Sequence, residues 1–168
     1  AAISAHTSLD CASGGVNDVL ADLLEINKIE PFPTVEYPAG LLRVGFLKQE
    51  NAEELAEYVG KKLFTDVKYC DGGKEIETVA ICGGSGGSLV EEIIDAGIDA
   101  YITGEVSYHH FLTAVDNGLT VVAAGHFETE NPIVQVLADQ IKDRFADIQV
   151  SVLEQDLPLD IYVPDLLR

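Results

Sequence analysis

The stretch that decides the fold is TVAICGGSGGSLVEEIIDAGIDAYITGE, residues 78–105. It opens with a short apolar run, TVAIC, which is typical of a strand buried on both faces. The glycine-rich GGSGG then predicts a loop, and SLVEEIIDAG predicts a helix that ends at Gly97. A second apolar run, AYIT at 100–103, predicts the next strand. This alternation indicates parallel strands joined by a helix.

The same alternation continues on both sides of this unit. The predicted helices cover 16–25, 51–63, 107–118 and 132–145, and the predicted strands cover 41–46, 65–70, 119–124 and 149–153. Asn51 is predicted to be an N-cap, and the three prolines between 27 and 40 predict a loop. We therefore predict one α/β domain over 1–168, with a largely parallel or mixed sheet and helices on both faces.

Composition argues against several classes of function. The 168 residues include 10 Lys and Arg against 29 Asp and Glu, a formal net charge of −19. Binding to nucleic acid or to an anionic membrane surface depends on basic residues, so both partners are disfavoured. No apolar stretch reaches the roughly 18 residues of a membrane helix, and the N-terminus does not resemble a signal peptide. The three cysteines form no CxxC pair, which is typical of a reducing, cytoplasmic compartment.

Imidazole and carboxylate side chains gather where the predicted strands end. The candidates are His6, Asp10, Glu105, His109, His110, His126 and Glu130, which include all four histidines of the chain. Ligands of open α/β sheets bind at the carboxyl ends of the strands, so we expect these residues at one edge. Imidazole with carboxylate is a ligand set for Zn²⁺, Mn²⁺ or Fe²⁺. The set therefore indicates metal binding, although for any single histidine a surface or capping role is the favoured interpretation.

The segment AAGHFETENP, residues 123–132, carries one part of this set. Pro132 is favoured at the first position of a helix, which makes Asn131 the N-cap. We therefore predict that His126 and Glu130 lie in a loop between a strand and the next helix, and not one turn apart on a helix.

The GGSGG loop has two interpretations. It follows a strand and opens a helix, as phosphate-binding loops do. However, no lysine follows it, and Leu89 stands where a dinucleotide-binding motif needs its third glycine. A tight turn between strand and helix explains the glycines equally well. A nucleophilic role for Ser85 or Ser88 is disfavoured, because GGSGG is not a GxSxG motif in a strand–elbow–helix context with an obvious His/Asp pair.

Four segments, in this order, resemble one known family. They are SAHTSLDCASGGVNDVLA, LRVGFL, AICGGSGGSLVEEIIDAGIDAYITGEVSYHHFLTA and AAGHFETE, and the resemblance runs from residue 4 to about residue 155. The chain resembles the NIF-three-like family, also called GTP cyclohydrolase 1 type 2. The resemblance implies an α/β fold with a dinuclear metal centre of two divalent ions, as Zn, Mn, Fe or Mg. It also implies a homo-oligomer, typically a ring-shaped hexamer.

The resemblance assigns metal ligands to two motifs of this chain. In HTSLD it makes Asp10 a ligand and places His6 beside the centre. In GHFETE it makes His126 and Glu130 ligands, with Glu130 as a candidate bridge between the two metals.

Further residues receive supporting roles from the same resemblance. Glu105 and His109 are the catalytic candidates, for substrate contact or proton transfer. Thr129 and the loop residues Gly84 and Ser85 are expected to support the site or to contact substrate.

The family's remaining ligands are two adjacent histidines upstream of the HTxLD motif, and His109 and His110 belong to a different motif. We therefore expect that an upstream segment of about 90 residues is missing from this chain. The implied function is hydrolysis of a nucleotide or phosphorylated small molecule by a metal-bound hydroxide. The alternatives are a non-catalytic metal-binding scaffold or metal chaperone with a protein partner, and a nucleotide binder that uses GGSGG.

Overall fold

A computed structural model describes residues 1–155 of the chain. The chain divides into two compact units, Ala1–Ile133 and Val134–Arg168. The described part of the second unit consists of the remainder of the last helix and residues 145–155, which form neither helix nor strand. The strand predicted at 149–153 is therefore wrong. Its alternating pattern is not matched by burial, since nearly all of these side chains are exposed.

The first unit contains a six-stranded mixed sheet. Its strands are β1 (Asn27–Phe32), β2 (Leu42–Gln49), β3 (Lys68–Cys70), β4 (Ile76–Ser85), β5 (Ala100–Glu105) and β6 (Thr120–Ala123). Their order is β1-β2-β4-β5-β6-β3. The central strands β4, β5 and β6 are parallel. The pairs β1 with β2, β2 with β4, and β3 with β6 are antiparallel. The predicted α/β fold with a mixed sheet is confirmed.

Helices alternate with these strands along the chain. They are α1 (Thr7–Asp10), α2 (Val16–Leu23), α3 (Ala52–Leu63), α4 (Val90–Asp95), α5 (Tyr108–Asp116), α6 (His126–Glu130) and α7 (Pro132–Arg144). None of the described helices is long and apolar enough to cross a membrane. The predicted cap of α3 is confirmed, because the Asn51 side chain accepts a hydrogen bond from the Glu54 amide at 3.0 Å.

Successive side chains of the central strands enter two hydrophobic cores. In β5, Ala100 and Ile102 pack into the core that contains α2 and α3. The intervening Tyr101 packs into the core that contains α4 and α5. All three are fully buried. A strand covered on both faces needs apolar residues at every position, which explains the continuous apolar runs in the sequence.

Two of the predicted loops are partly strand. The segment predicted as a loop over 27–40 begins with β1, an outer strand of the sheet. An outer strand tolerates Pro31 because a missing backbone N–H costs little where no further strand pairs. In the GGSGG segment, β4 continues as far as Ser85, which pairs with Glu105 of β5. The glycines therefore form the carboxyl end of a central strand as well as the turn that follows it.

Candidate metal centre

The HFETE segment is a short helix, which corrects the predicted loop. His126 and Glu130 are the first and last residues of α6 and lie one turn apart on it. Gly125, with φ of +91°, lets the chain turn directly from the end of β6 into this helix. Asn131 has a helical conformation and caps the carboxyl end of α6, so it is not the predicted N-cap. The spacing of four residues brings both side chains to one face of the helix.

His126 lies between two carboxylates. Its Nδ1 is 3.1 Å from Oε2 of Glu105, and its Nε2 is 3.3 Å from Oε1 of Glu130. Glu105 ends β5, while the other two residues come from α6, so the cluster sits at the carboxyl edge of the parallel strands. A neutral imidazole donates from one nitrogen only. A neutral ring can therefore donate to only one of the two carboxylates, and the hydrogen bond within range joins Nδ1 to Glu105.

Asp10 belongs to the same electrostatic environment. It is the last residue of α1. Burial raises the pKa of Asp10 above its ordinary value, the charge of Glu130 raises it further, and His6 and His126 partly offset this rise. Carboxylates that disfavour one another's ionised form are typical of sites that receive positive charge. Asp10 is thus within electrostatic range of His126 and Glu130, the other two predicted ligands, and of His6.

The backbone at Gly84, here called the glycine wall, lies directly against this cluster. A Cβ atom at Gly84 would overlap a carboxylate oxygen of Glu130 and lie 3.2 Å from Nε2 of His126. Gly84 also has φ of +67°, a conformation that favours glycine. The Thr129 hydroxyl accepts a hydrogen bond from the Gly84 amide at 3.0 Å. The absence of a side chain at Gly84 therefore leaves room for the imidazole and carboxylate groups of α6.

Thr129 fastens α6 to the end of β4. Its side chain is buried within α6. Besides accepting from the Gly84 amide, its hydroxyl is within donating distance of the carbonyls of Gly125, at 2.8 Å, and His126, at 3.1 Å. Thr129 thus links the GGSGG segment directly to the helix that bears two candidate ligands. The exposed Ser85 is the register partner of Glu105.

His109 lies in a separate cluster. The Ser107 hydroxyl is 2.9 Å from Nδ1 of His109 and 2.9 Å from Nδ1 of His110, and the two imidazole ring centres are 4.1 Å apart. Burial, and then the charge of His109, lowers the pKa of His110. Within residues 1–155, no hydrogen bond joins His109 to Glu105 or His126. The two predicted catalytic residues therefore have different partners, although Glu105 ends β5 and His109 lies in α5, the helix that follows it.

These imidazole and carboxylate groups are close together, but they do not surround one point at which they would hold a metal ion. Among residues 1–155, no group of three or more His, Cys, Asp and Glu side chains has the arrangement that holds a metal ion. In this structure, Glu105 and Glu130 are instead paired with the imidazole of His126. The chemistry of the donor set fits a divalent cation, because it combines an imidazole with carboxylates beside a glycine wall.

Two buried polar residues that the sequence did not single out shape this region. The Asn17 side chain, in α2, donates to the carbonyls of Leu41 and Asp10 and accepts from the Gly83 amide. Arg43, in β2, pairs with Asp18 and donates to four backbone carbonyls: those of Gly40, Leu42, Cys11 and Ala12. A lone arginine inside the apolar run LLRVGF is the sequence signal for such a buried cation.

The fold and this edge cluster define a mixed α/β protein with an imidazole–carboxylate site, and sequence comparison gives its family. Residues 1–158 match the family model described as Duf34/NIF3 (NGG1p interacting factor 3). The chain therefore belongs to this family, which confirms the resemblance. A relative from Nostoc sp., named GTP cyclohydrolase 1 type 2 homolog, is 32% identical over 159 residues, covering 91% of this chain and 60% of the relative.

Solved structures show the same fold. Protein ybgI, described as of unknown function, is 30% identical with a TM-score of 0.80, covering 92% of this chain and 61% of that one. A Bacillus cereus protein related to NIF3 is 20% identical with a TM-score of 0.75, covering 95% of this chain and 72% of that one, and supports the fold alone. The chain thus spans about 60% of the length of the Nostoc relative.

Proposed function

We propose that this chain forms part of a divalent-metal centre that hydrolyses a nucleotide or another phosphorylated small molecule. The observation that supports the proposal is the position of His126 between Glu105 and Glu130, with Asp10 within electrostatic range. Metal-dependent hydrolases commonly use imidazole and carboxylate ligands of this kind. The names of curated relatives make GTP the first nucleotide to test.

Each residue of the cluster has a proposed role. Asp10, His126 and Glu130 would hold metal, with Glu130 suited to bridge two ions because a carboxylate has two oxygens. A divalent cation at this position would acidify water and polarise a phosphoryl or carbonyl oxygen. Glu105 would orient His126 by accepting a hydrogen bond from Nδ1, since metal-binding histidines commonly donate their other ring N–H to a carboxylate. That geometry favours an orienting role for Glu105 over direct proton transfer.

His109 would then be the group that moves a proton. The Ser107 hydroxyl lies 2.9 Å from Nδ1 and 3.3 Å from Nε2 of His109, and this contact would hold the imidazole at the start of α5 for proton exchange with substrate. The neighbouring His110 packs against Gly87 of the GGSGG segment, where an added Cβ would lie 2.5 Å from the His110 Nδ1. These contacts fix the start of α5 beside the glycine-rich turn.

We extend the proposal to assembly and location. A homo-oligomer, as a hexamer, is proposed from the family resemblance. A cytoplasmic location is proposed because Cys11, Cys70 and Cys82 are all free thiols in the described residues.

Metal content and turnover test the proposal together. The chain, and the full-length product of its gene where that is longer, would be reconstituted with Zn²⁺ or Mn²⁺, assayed by elemental analysis and offered a panel of nucleotides. Asp10→Ala and His126→Ala are expected to lose metal, while Glu128→Gln, a carboxylate change on the same helix, keeps it. His109→Ala is expected to keep metal and lose turnover.

Two results would contradict the proposed hydrolase function. Absence of metal after reconstitution would remove the proposed centre altogether. Metal that is bound and lost in the Asp10 and His126 variants, with no turnover of any nucleotide, would favour the non-catalytic scaffold or metal chaperone instead.

A further inference from the structure

We infer that Asn17 is the positioning residue that sets Asp10 against the other two candidate ligands. The inference rests on the proposed metal-binding function. The Asn17 side chain is fully buried and joins three segments that are remote in sequence. Its Nδ2 donates to the Leu41 carbonyl at 2.8 Å and to the Asp10 carbonyl at 3.3 Å, and its Oδ1 accepts from the Gly83 amide at 2.7 Å.

Asp10 needs such an external support. It ends α1, a helix of four residues with no buried residue and no side-chain cap. A single turn of helix is unstable by itself, because nucleation fixes several residues for very few hydrogen bonds. Two buried side chains hold the backbone here, Asn17 at the Asp10 carbonyl and Arg43 at the carbonyls of Cys11 and Ala12.

The other end of the Asn17 side chain reaches the ligands of α6. Gly83, which it binds, directly precedes Gly84, the wall against Glu130 and His126. Asn17 therefore connects the backbone of one candidate ligand with the strand end that contacts the other two. Arg43 makes no comparable link, since a guanidinium has donors only and cannot accept from a backbone amide.

An asparagine amide is chemically suited to this position. The site needs donors toward two carbonyls and an acceptor toward one amide, and a side-chain amide supplies both. Aspartate has nearly the same shape and keeps the acceptor for Gly83. It loses both donors and places a carboxylate against the carbonyls of Asp10 and Leu41, so Asn17→Asp should displace Asp10 with little change in volume.

The test compares Asn17→Asp with Thr78→Val. Thr78 makes partly buried hydrogen bonds with Asp99 near the start of β4 and β5, at the opposite end of the strands from the candidate site. Thr78→Val therefore removes a polar contact, as Asn17→Asp does, but at a position remote from the candidate site. Co²⁺ binding is followed by calorimetry and by the visible absorption of the bound ion, and unfolding by urea. Asn17→Asp is expected to weaken Co²⁺ binding about tenfold or more and to change its spectrum, whereas Thr78→Val changes only stability.

Asn17→Gln supplies a second variant should Asn17→Asp fail to fold, since it retains the amide one methylene further out. It is expected to bind Co²⁺ more weakly than wild type and with an altered spectrum. Wild-type Co²⁺ affinity and spectrum in a folded Asn17→Asp or Asn17→Gln variant would overturn the inference.

If the wild-type chain binds no Co²⁺, the proposed metal-binding function is contradicted. The positioning role of Asn17 is then tested by a measurement that needs no metal. In that case, amide NMR shifts of Asp10, Gly84 and Glu130 are compared between wild type and the Asn17 variants. Shifts at all three positions, absent in Thr78→Val, support positioning by Asn17. Unchanged shifts at Asp10 and Glu130 would overturn it.

Discussion

Replacing Gly84 with alanine would put a methyl group into the middle of the candidate centre. The new Cβ would overlap a carboxylate oxygen of Glu130 and lie 3.2 Å from Nε2 of His126. The φ of +67° adds a backbone term, because a left-handed conformation costs an L-residue about 1–2 kcal/mol. The lower entropy of alanine in the unfolded chain offsets about 0.4–1 kcal/mol of this.

Gly97→Ala is a matched control for the backbone term. Gly97 has φ of +69°, and a Cβ there would meet nothing within 4 Å. We expect Gly97→Ala to lose about 1 kcal/mol of unfolding free energy, a fall in Tm of about 2–4 °C for a chain of this size. Gly84→Ala should lose more, since Glu130 must move. Its metal affinity should fall about tenfold or more, whereas that of Gly97→Ala should not change.

Urea unfolding followed by circular dichroism, and calorimetric titration with Zn²⁺, measure the two effects separately. Equal unfolding free energies and equal Zn²⁺ affinities in Gly84→Ala and Gly97→Ala would refute the reasoning, because the glycine wall would then have no role beyond its backbone angle. Weaker Zn²⁺ binding in both variants would refute it as well, since Gly97 lies in an open turn after α4.

Three further substitutions give distinct expectations. Arg43→Leu leaves the Asp18 carboxylate without its buried cation, and urea unfolding should show that the free energy of unfolding falls by about 3–5 kcal/mol. A fall of less than about 1 kcal/mol would contradict the role of Arg43 as a buried ion-pair partner. Burial raises the pKa of Asp99, but hydrogen bonds from Thr78 and neighbouring groups outweigh burial and lower it. The ionised Asp99 therefore stabilises the fold above the ordinary carboxyl pKa, and this stabilisation is lost as pH falls through the lowered pKa. The difference in unfolding free energy between wild type and Asp99→Asn should shrink between about pH 5 and pH 2. A constant difference would contradict this role of Asp99. Thr129→Val removes the acceptor of a buried backbone amide and should cost about 1–3 kcal/mol in the same assay; an unchanged midpoint would show that the hydroxyl is dispensable.

The sequence predicts those elements whose signals are local and periodic. The helix after Asn51 has an N-cap, acidic residues in its first turn and an apolar stripe, and the structure has it at Ala52–Leu63. The strand at 100–103 is a continuous apolar run because both of its faces are covered. In these segments, the local preference and the tertiary environment agree.

The sequence-based predictions fail where packing against the rest of the fold, and not the local sequence, determines the backbone conformation. Three prolines indicate a loop over 27–40, yet Asn27–Phe32 forms a strand because an outer position makes few demands on the backbone. A five-residue helix such as His126–Glu130 is too short to show a period, and the helix start that Pro132 correctly predicts belongs to the next helix, α7. The reverse holds at 149–153, where alternation is present but no strand forms within the described residues.

The candidate site divides in the same way. His126 and Glu130 can be selected from sequence, since they are metal-binding side chains just after a predicted strand and lie in a motif of the family that the chain resembles. Asn17 cannot, because an asparagine in an amphipathic helix has many ordinary roles. Its importance comes from the Gly83 amide, 66 positions away, and from the Leu41 carbonyl, 24 positions away. Only the assembled sheet brings these backbone groups to one side chain.

The two outer strands affect how copies of the chain behave when crowded together. An exposed sheet margin is a template for edge-to-edge pairing and fibre growth. Here β3 offers only three residues, beginning with Lys68, and β1 contains Pro31 and an irregular register between Asn27 and Glu30. Short length, a lysine, a proline and a bulge each discourage an incoming strand. The sheet formed by the described residues thus presents margins that are poor seeds for aggregation.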